Sequence, residues 1–188
     1  TAVHAQLADD TKAIKFIANS KVVTEHQIGT SPAYMQLNGT TPEIHTAAKE
    51  FIFNKVCSAM FSTFNSTTKF ANITTIDFNG CINTSKVTTM VEMFQGCQAL
   101  ISLDLSSFDT ANVTDMTYMF SQCLSLKSLD IRNFDMGKVT YSDYMFSNVG
   151  SLYYDATNNR TPIKVTMALW SVLESMNVST GSYAEYDI

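Results

Sequence analysis

Met-Phe occurs four times in this chain, at Met60-Phe61, Met93-Phe94, Met119-Phe120 and Met145-Phe146. The last two intervals are both 26 residues and the first is 33. Aligned on that dipeptide, other columns fall into register. Val87, Val113 and Val139 are each followed by threonine, Cys97 matches Cys123, and Asp77, Asp104 and Asp130 each sit between two apolar residues. Self-similarity at a fixed period constrains a fold more than composition does. One unit of this size cannot bury its own apolar face, so units must stack on one another.

Each unit has two halves. Leu126, Leu129, Ile131 and Phe134 represent the first. Around Leu129 and Ile131 apolar and polar residues alternate, which predicts a short strand with one buried face. In the second half, Met116, Met119, Phe120 and Cys123 fall at i, i+3, i+4 and i+7. That spacing predicts a helix of about two turns. Thr114 would be its N-cap, with Asp115 at the positive end. Thr140 and Asp143 resemble a capping box.

The flanks do not repeat. Residues 11–23 read as one or two strands and residues 29–42 as loop. A helix is predicted to start at Thr41, with Pro42 at its first position, and run to Phe61. A closing helix is predicted over 161–176, with Met167, Trp170, Leu173 and Met176 inward. The expected fold is α/β, a short right-handed solenoid of leucine-rich-repeat type. Each 26-residue unit would give one parallel strand and one short helix. Residues 1–55 would form an N-terminal cap, 56–152 the solenoid and 153–188 a C-terminal cap.

The stretch "LDLSSFDTANVTDMTYMFSQC" (103–123) resembles the 26-residue surface-protein repeat of BspA-like leucine-rich proteins of gut and oral bacteria, mycoplasmas and some protists. The resemblance covers about residues 71–152. It implies a leucine-rich-type fold, an extracellular or cell-surface location, and adhesion to matrix proteins or other cells, with no catalytic residues. This chain departs from the pattern at Cys81, where Phe108 and Phe134 stand in later units, and at Ser142, which replaces a methionine.

Of the 188 residues, 45% are hydrophobic and 15% charged, enough apolar content for a packed core rather than disorder. The net charge is −5 and no Lys/Arg cluster occurs, which excludes a phosphate-tracking surface and a polybasic membrane patch. No apolar run approaches the roughly 20 residues of a membrane-spanning helix. The first ten residues lack a basic segment followed by an apolar one, so either there is no signal peptide or Thr1 begins a mature chain.

On a leucine-rich strand the residue between two apolar positions points away from the core. Asp77, Asp104 and Asp130 are therefore expected on the concave sheet face, flanked by Ser102, Ser106, Ser128 and Arg132. Such carboxylates are read as a solvated, partner-binding surface rather than a Ca²⁺ site, and no metal or cofactor is expected. Asp109 and Asp135 read as turn caps. Cys97 and Cys123, at the ends of packed helices, would be too far apart to bridge, and buried free thiols are expected. A Cys57–Cys81 bridge stays open. His45 and Cys57 would lie about 18 Å apart on one helix, so they are not read as a catalytic pair. Sequons at Asn38, Asn65, Asn72, Asn83, Asn112, Asn159 and Asn177 are glycosylation acceptors if the chain enters a eukaryotic secretory pathway.

These readings converge on a secreted or surface-displayed binding and adhesion module that is not an enzyme. Its partner would be a protein or glycan on a host or neighbouring cell, with no nucleic acid and no transmembrane segment. The alternative is a structural subunit that self-associates into an extracellular filament or appendage.

Overall fold

The computed structural model describes residues 12–18, 26–27, 33–38, 41–46, 48–63, 72–150, 162–165, 171 and 183–186. Among them are the strands β1 (Ala13–Ile17), β2 (His26–Gln27), β3 (Ala33–Asn38), β4 (Thr41–Thr46), β5 (Phe51–Ile52), β6 (Thr75–Asp77), β7 (Ile82–Asn83), β8 (Ser102–Leu103), β9 (Leu129–Asp130), β10 (Pro162–Val165) and β11 (Tyr183–Tyr186). They form sheets ordered β2-β3-β4-β1-β6-β8, β11-β10-β9 and β5-β7. Only β2 with β3 and β3 with β4 pair antiparallel; the other pairings are parallel.

The strands form where apolar and polar residues alternate. In β6, Ile76 is buried while Thr75 and Asp77 are exposed. Ile14 pairs with Ile76, and Ile76 with Leu103, so one apolar column runs through β1, β6 and β8. Residues far from the repeat thus extend its sheet: Ala13-Ile14-Lys15-Phe16 copies the pattern of Thr75-Ile76-Asp77-Phe78. Phe16 and Phe78 are 5.4 Å apart, and Phe78 and Phe108 5.3 Å. The ring of Phe78 thereby joins a column in which Cys81 stands for the expected phenylalanine.

The second half of each unit is buried as the spacing predicts, but it is not a helix. Met116, Met119, Phe120 and Cys123 are wholly buried. Their backbone is a run of tight turns. The amides of Met119, Ser121 and Cys123 donate back three residues, to Met116, Tyr118 and Phe120. The intervening amides of Tyr118, Phe120 and Gln122 donate instead to Asp143, Met145 and Ser147 of the next unit, at 2.8–2.9 Å. The unit before does the same with Glu92, Phe94 and Gly96. An α-helix satisfies every interior amide within itself. Here half of them tie one unit to the next, which gives a parallel ladder. Stacked rings mark its spacing. Phe61, Phe94, Phe120 and Phe146 lie 5.4, 5.6 and 5.9 Å apart with planes within 6°.

The turns need left-handed residues, which a helix excludes. Glu92, Tyr118 and Tyr144 have φ of 57°, 56° and 55°, and Gly96, Gln122 and Asn148 follow at 76°, 62° and 58°. The capping roles expected of Thr114 and Thr140 fall with the helix. Their hydroxyls donate to the carbonyls of Thr88 and Thr114, each 3.1 Å away in the preceding unit. Asp115 accepts from the amide of Thr117 at 2.9 Å. One consequence is testable. Gln122→Gly should leave stability unchanged or raise it by up to about 1 kcal/mol, because a left-handed backbone favours glycine. In a helix the same change would cost about 1 kcal/mol. Denaturant midpoints separate the two outcomes.

The flanks also differ from expectation. Residues 41–46 are a strand in place of the predicted helix, and residues 33–38, predicted as loop, are its antiparallel partner. The reason lies in Ile44 and Thr46, buried on alternate positions of β4. The strand expected within 11–23 is present as β1. In the predicted closing helix, Pro162–Val165 is β10, paired to β9 through Ile163 and Leu129, and Ser171, the other residue described there, is helical. Met167, Trp170, Leu173 and Met176 lie outside the described residues.

Candidate functional site

The register builds a charged ladder on the polar side of the strands. Lys15 is opposite both Glu43 on β4 and Asp77 on β6. Ile76 opposite Leu103 puts Asp104 next in that column. In the other sheet Asp130 is opposite Lys164, which is opposite Glu185. Asp77 and Asp104 follow one another in the first sheet and Asp130 stands in the second, and a lysine from a distant segment joins each of the two columns. Sequence reasoning missed Lys15 and Lys164. The Ile-Lys-Phe of residues 14–16, mirroring Ile-Asp-Phe of 76–78, was the signal for the first.

The ladder breaks between β8 and β9, which belong to different sheets. At the break lies an open recess of about 420 Å³ lined by Leu103, Asp104, Leu105, Ser106, Asp130, Arg132 and Asn133. Asp104, Ser106, Asp130 and Arg132 of the expected binding face therefore meet here. Ser102, on β8, and Ser128, just before β9, are exposed but do not line the recess. Asp77 is exposed on β6, one strand away, and receives the amide of Asn79 at 2.8 Å.

Each wall of the recess is fixed. The backbone amide of Ser106 donates to Asp104 Oδ1 at 2.9 Å. This bond, with one from the Ser106 hydroxyl, holds the Asp104 carboxyl below its ordinary 3.8, against burial and the repulsion of Asp130. Arg132 grips Asp130 through Nε at 2.9 and 3.2 Å and Nη2 at 2.7 Å, and its own amide adds a bond at 3.2 Å. These side-chain bonds are the main reason that the Asp130 carboxyl is lowered, with Lys164 adding its charge. Asn133, which sequence reasoning also missed, donates through Nδ2 to the carbonyls of Leu105 and Phe108, both at 3.0 Å. Both aspartates are anions at neutral pH.

The sign of the Asp104 contribution follows. A lowered carboxyl pKa stabilises the fold above the ordinary value and loses that effect as pH falls through the lowered one. Asp104→Ser should therefore lower the melting temperature slightly at pH 7, with the gap closing as pH drops below 3.8. The sequence alone, seeing only like charges, suggests no change or a gain. Thermal melts at the two pH values decide.

The remaining candidates are structural. All four cysteines are free. Burial pushes the Cys57 thiol up to about 11 and Cys123 up to about 12, and raises Cys81 and Cys97 too. Cys97 and Cys123 donate to the carbonyls of Phe61 and Phe94 at 3.2 Å, each in the unit before. Asp109 and Asp135 cap turns, accepting from Ala111 at 3.0 Å and Gly137 at 2.7 Å. His45 lies on β4 and shares no helix with Cys57. Of the sequon asparagines, Asn83 donates to Glu50 at 2.9 Å and Asn112 to the Ser85 carbonyl at 2.9 Å. Asn38 ends β3 and Asn72 is exposed, while Asn65, Asn159 and Asn177 lie outside the described residues.

Among the described residues no group of three or more His, Cys, Asp or Glu side chains is placed to hold a metal ion. No helix there is long and apolar enough to cross a membrane. Residues 55–178, more than half of the chain, match a family described as "Mycoplasma protein of unknown function, DUF285". No curated protein and no solved structure is significantly similar to the chain.

Proposed function

The chain belongs to the DUF285 family, and on that premise we propose that it is a surface-displayed adhesion module built as a short solenoid, akin to the BspA-like proteins whose repeat it resembles. It binds a partner on a host or neighbouring cell through the polar face of its sheet, with Asp77, Asp104, Asp130, Ser102, Ser106, Ser128 and Arg132 as the contact residues. One observation carries the reading. Stacking absorbs nearly every residue that the repeat prescribes, whereas Asp104, Ser106, Asp130 and Arg132 converge on an open recess where the sheet breaks. Repeat proteins use such exposed faces for recognition.

Ser106 is exposed, so a bulky side chain there leaves the core intact and fills the recess. Purified Ser106→Trp protein is expected to fold normally and to lose binding to cells. Val56→Trp, at an exposed site away from the recess, keeps it. Equal binding by both variants would overturn the reading. So would size-exclusion chromatography in which the pure wild type runs as polymers rather than as a monomer, the behaviour of a self-assembling subunit.

A further inference from the structure

We propose that the recess between β8 and β9 recognises a neutral sugar residue through its vicinal hydroxyls. This rests on the adhesion reading and names the ligand class of the same site. The argument begins with charge. Asp130 is neutralised by Arg132 at 2.7 Å and faces Lys164 in the register. Asp104 has Ser106 as its hydrogen-bond partner rather than a cation. A cationic ligand entering the recess meets the Arg132 guanidinium, and an anionic one meets Asp104 and Asp130. A neutral polyol satisfies both walls at once.

The groups suit that chemistry. The two carboxylates are acceptors. A guanidinium carries five donors in one plane, and Asp130 engages it through Nε and Nη2. The Asn133 amide donates both of its bonds to Leu105 and Phe108, so towards a ligand it acts as an acceptor. The volume of about 420 Å³ falls within the usual range of small-molecule sites. Every polar wall is already held in place, so little ordering is needed on binding.

The test uses the full chain, labelled with ¹⁵N and titrated with mannose, galactose and N-acetylglucosamine. At least one sugar should shift the amides of residues 103–106 and 130–133. Its affinity should change little between about 50 and 500 mM NaCl, since no net charge is paired. Arg132→Ala should weaken it about ten-fold or more, as loss of charge-assisted hydrogen bonds does. Asp104→Asn, which keeps an acceptor oxygen, guards against a folding artefact and should weaken it less. The inference is overturned if none of the sugars shifts the recess, or if a lysine- and arginine-rich peptide shifts it instead and fades with salt. Cells supply the separation from the broader reading. Periodate cleaves vicinal diols, so treated cells should lose binding. Binding that survives periodate but is blocked by Ser106→Trp sinks the sugar and spares the adhesion module. Wild-type protein that binds no cells sinks the module itself.

Discussion

Met119→Asp is expected to abolish folding. Met119 is wholly buried between Phe120 and the turn that begins at Met116, and its carbonyl accepts the amide of Phe94 at 2.9 Å. Truncating a buried methionine costs about 2–5 kcal/mol through the cavity left behind. A buried, unpaired carboxylate adds several more, or stays neutral at a comparable cost. The total is on the order of the whole stability of a domain, about 5–15 kcal/mol. Circular dichroism melts and light scattering should show an unfolded or aggregated chain. A soluble variant that melts cooperatively near the wild-type temperature would contradict the buried stripe. Because backbone bonds tie its unit to the units on both sides, its loss should unfold the repeat region as a whole.

The same residue shows what the sequence made legible and what it hid. The 26-residue spacing correctly identified Met116, Met119, Phe120 and Cys123 as one apolar stripe. It did not identify the backbone that carries the stripe. A period of i, i+3, i+4, i+7 arises from an α-helix, but also from successive tight turns that advance at a similar rate. The difference lies in φ at Tyr118 and Gln122, and neither tyrosine nor glutamine announces a left-handed conformation as glycine does. Gly96, in the equivalent position one unit earlier, was the available clue. With turns in place of helices in the described units, the ladder sits at the ring-stacking distance of 5.4–5.9 Å rather than at helix-packing distance. The distance argument against a Cys97–Cys123 bridge therefore loses its premise, although the thiols are indeed free.

At the recess the outcome is similar. The aspartate column followed from the repeat, because a residue between two core positions on a strand must face out. Its electrostatics did not, because Lys15 and Lys164 come from segments outside the repeat and reach the column only through strand pairing. Nor did the break between β8 and β9, since the sequence repeats smoothly across it. The recess sits where the regular pattern is interrupted, and a repeat seen as sequence conceals its interruptions.

A second column hidden in plain sight is that of Thr84 and Thr110. In the sequence they are two among many threonines. In the structure each is about 1% exposed, and its hydroxyl bridges two backbone groups of the next unit. Thr110 Oγ1 accepts the Asp135 amide at 2.7 Å and donates to the Asp135 carbonyl at 3.1 Å. Thr84 does the same for Asp109, at 2.7 and 2.9 Å. Valine has the shape of threonine without the hydroxyl, so Thr110→Val leaves the Asp135 amide and carbonyl without their partner at a part-buried site. Each such group costs about 1–3 kcal/mol when fully buried, and the partial access of water here keeps the expected loss for the pair towards the lower end, at about 2–4 kcal/mol. Thr114→Val is the control, since Thr114 is exposed and water can replace its bond to Thr88. It should cost under about 1 kcal/mol. Thr110→Ser keeps the hydroxyl and should recover most of the loss. Urea denaturation of the three variants gives the comparison. If Thr110→Val and Thr114→Val lose equal stability, the bridge contributes nothing. The units would then be held by apolar packing and the backbone ladder alone.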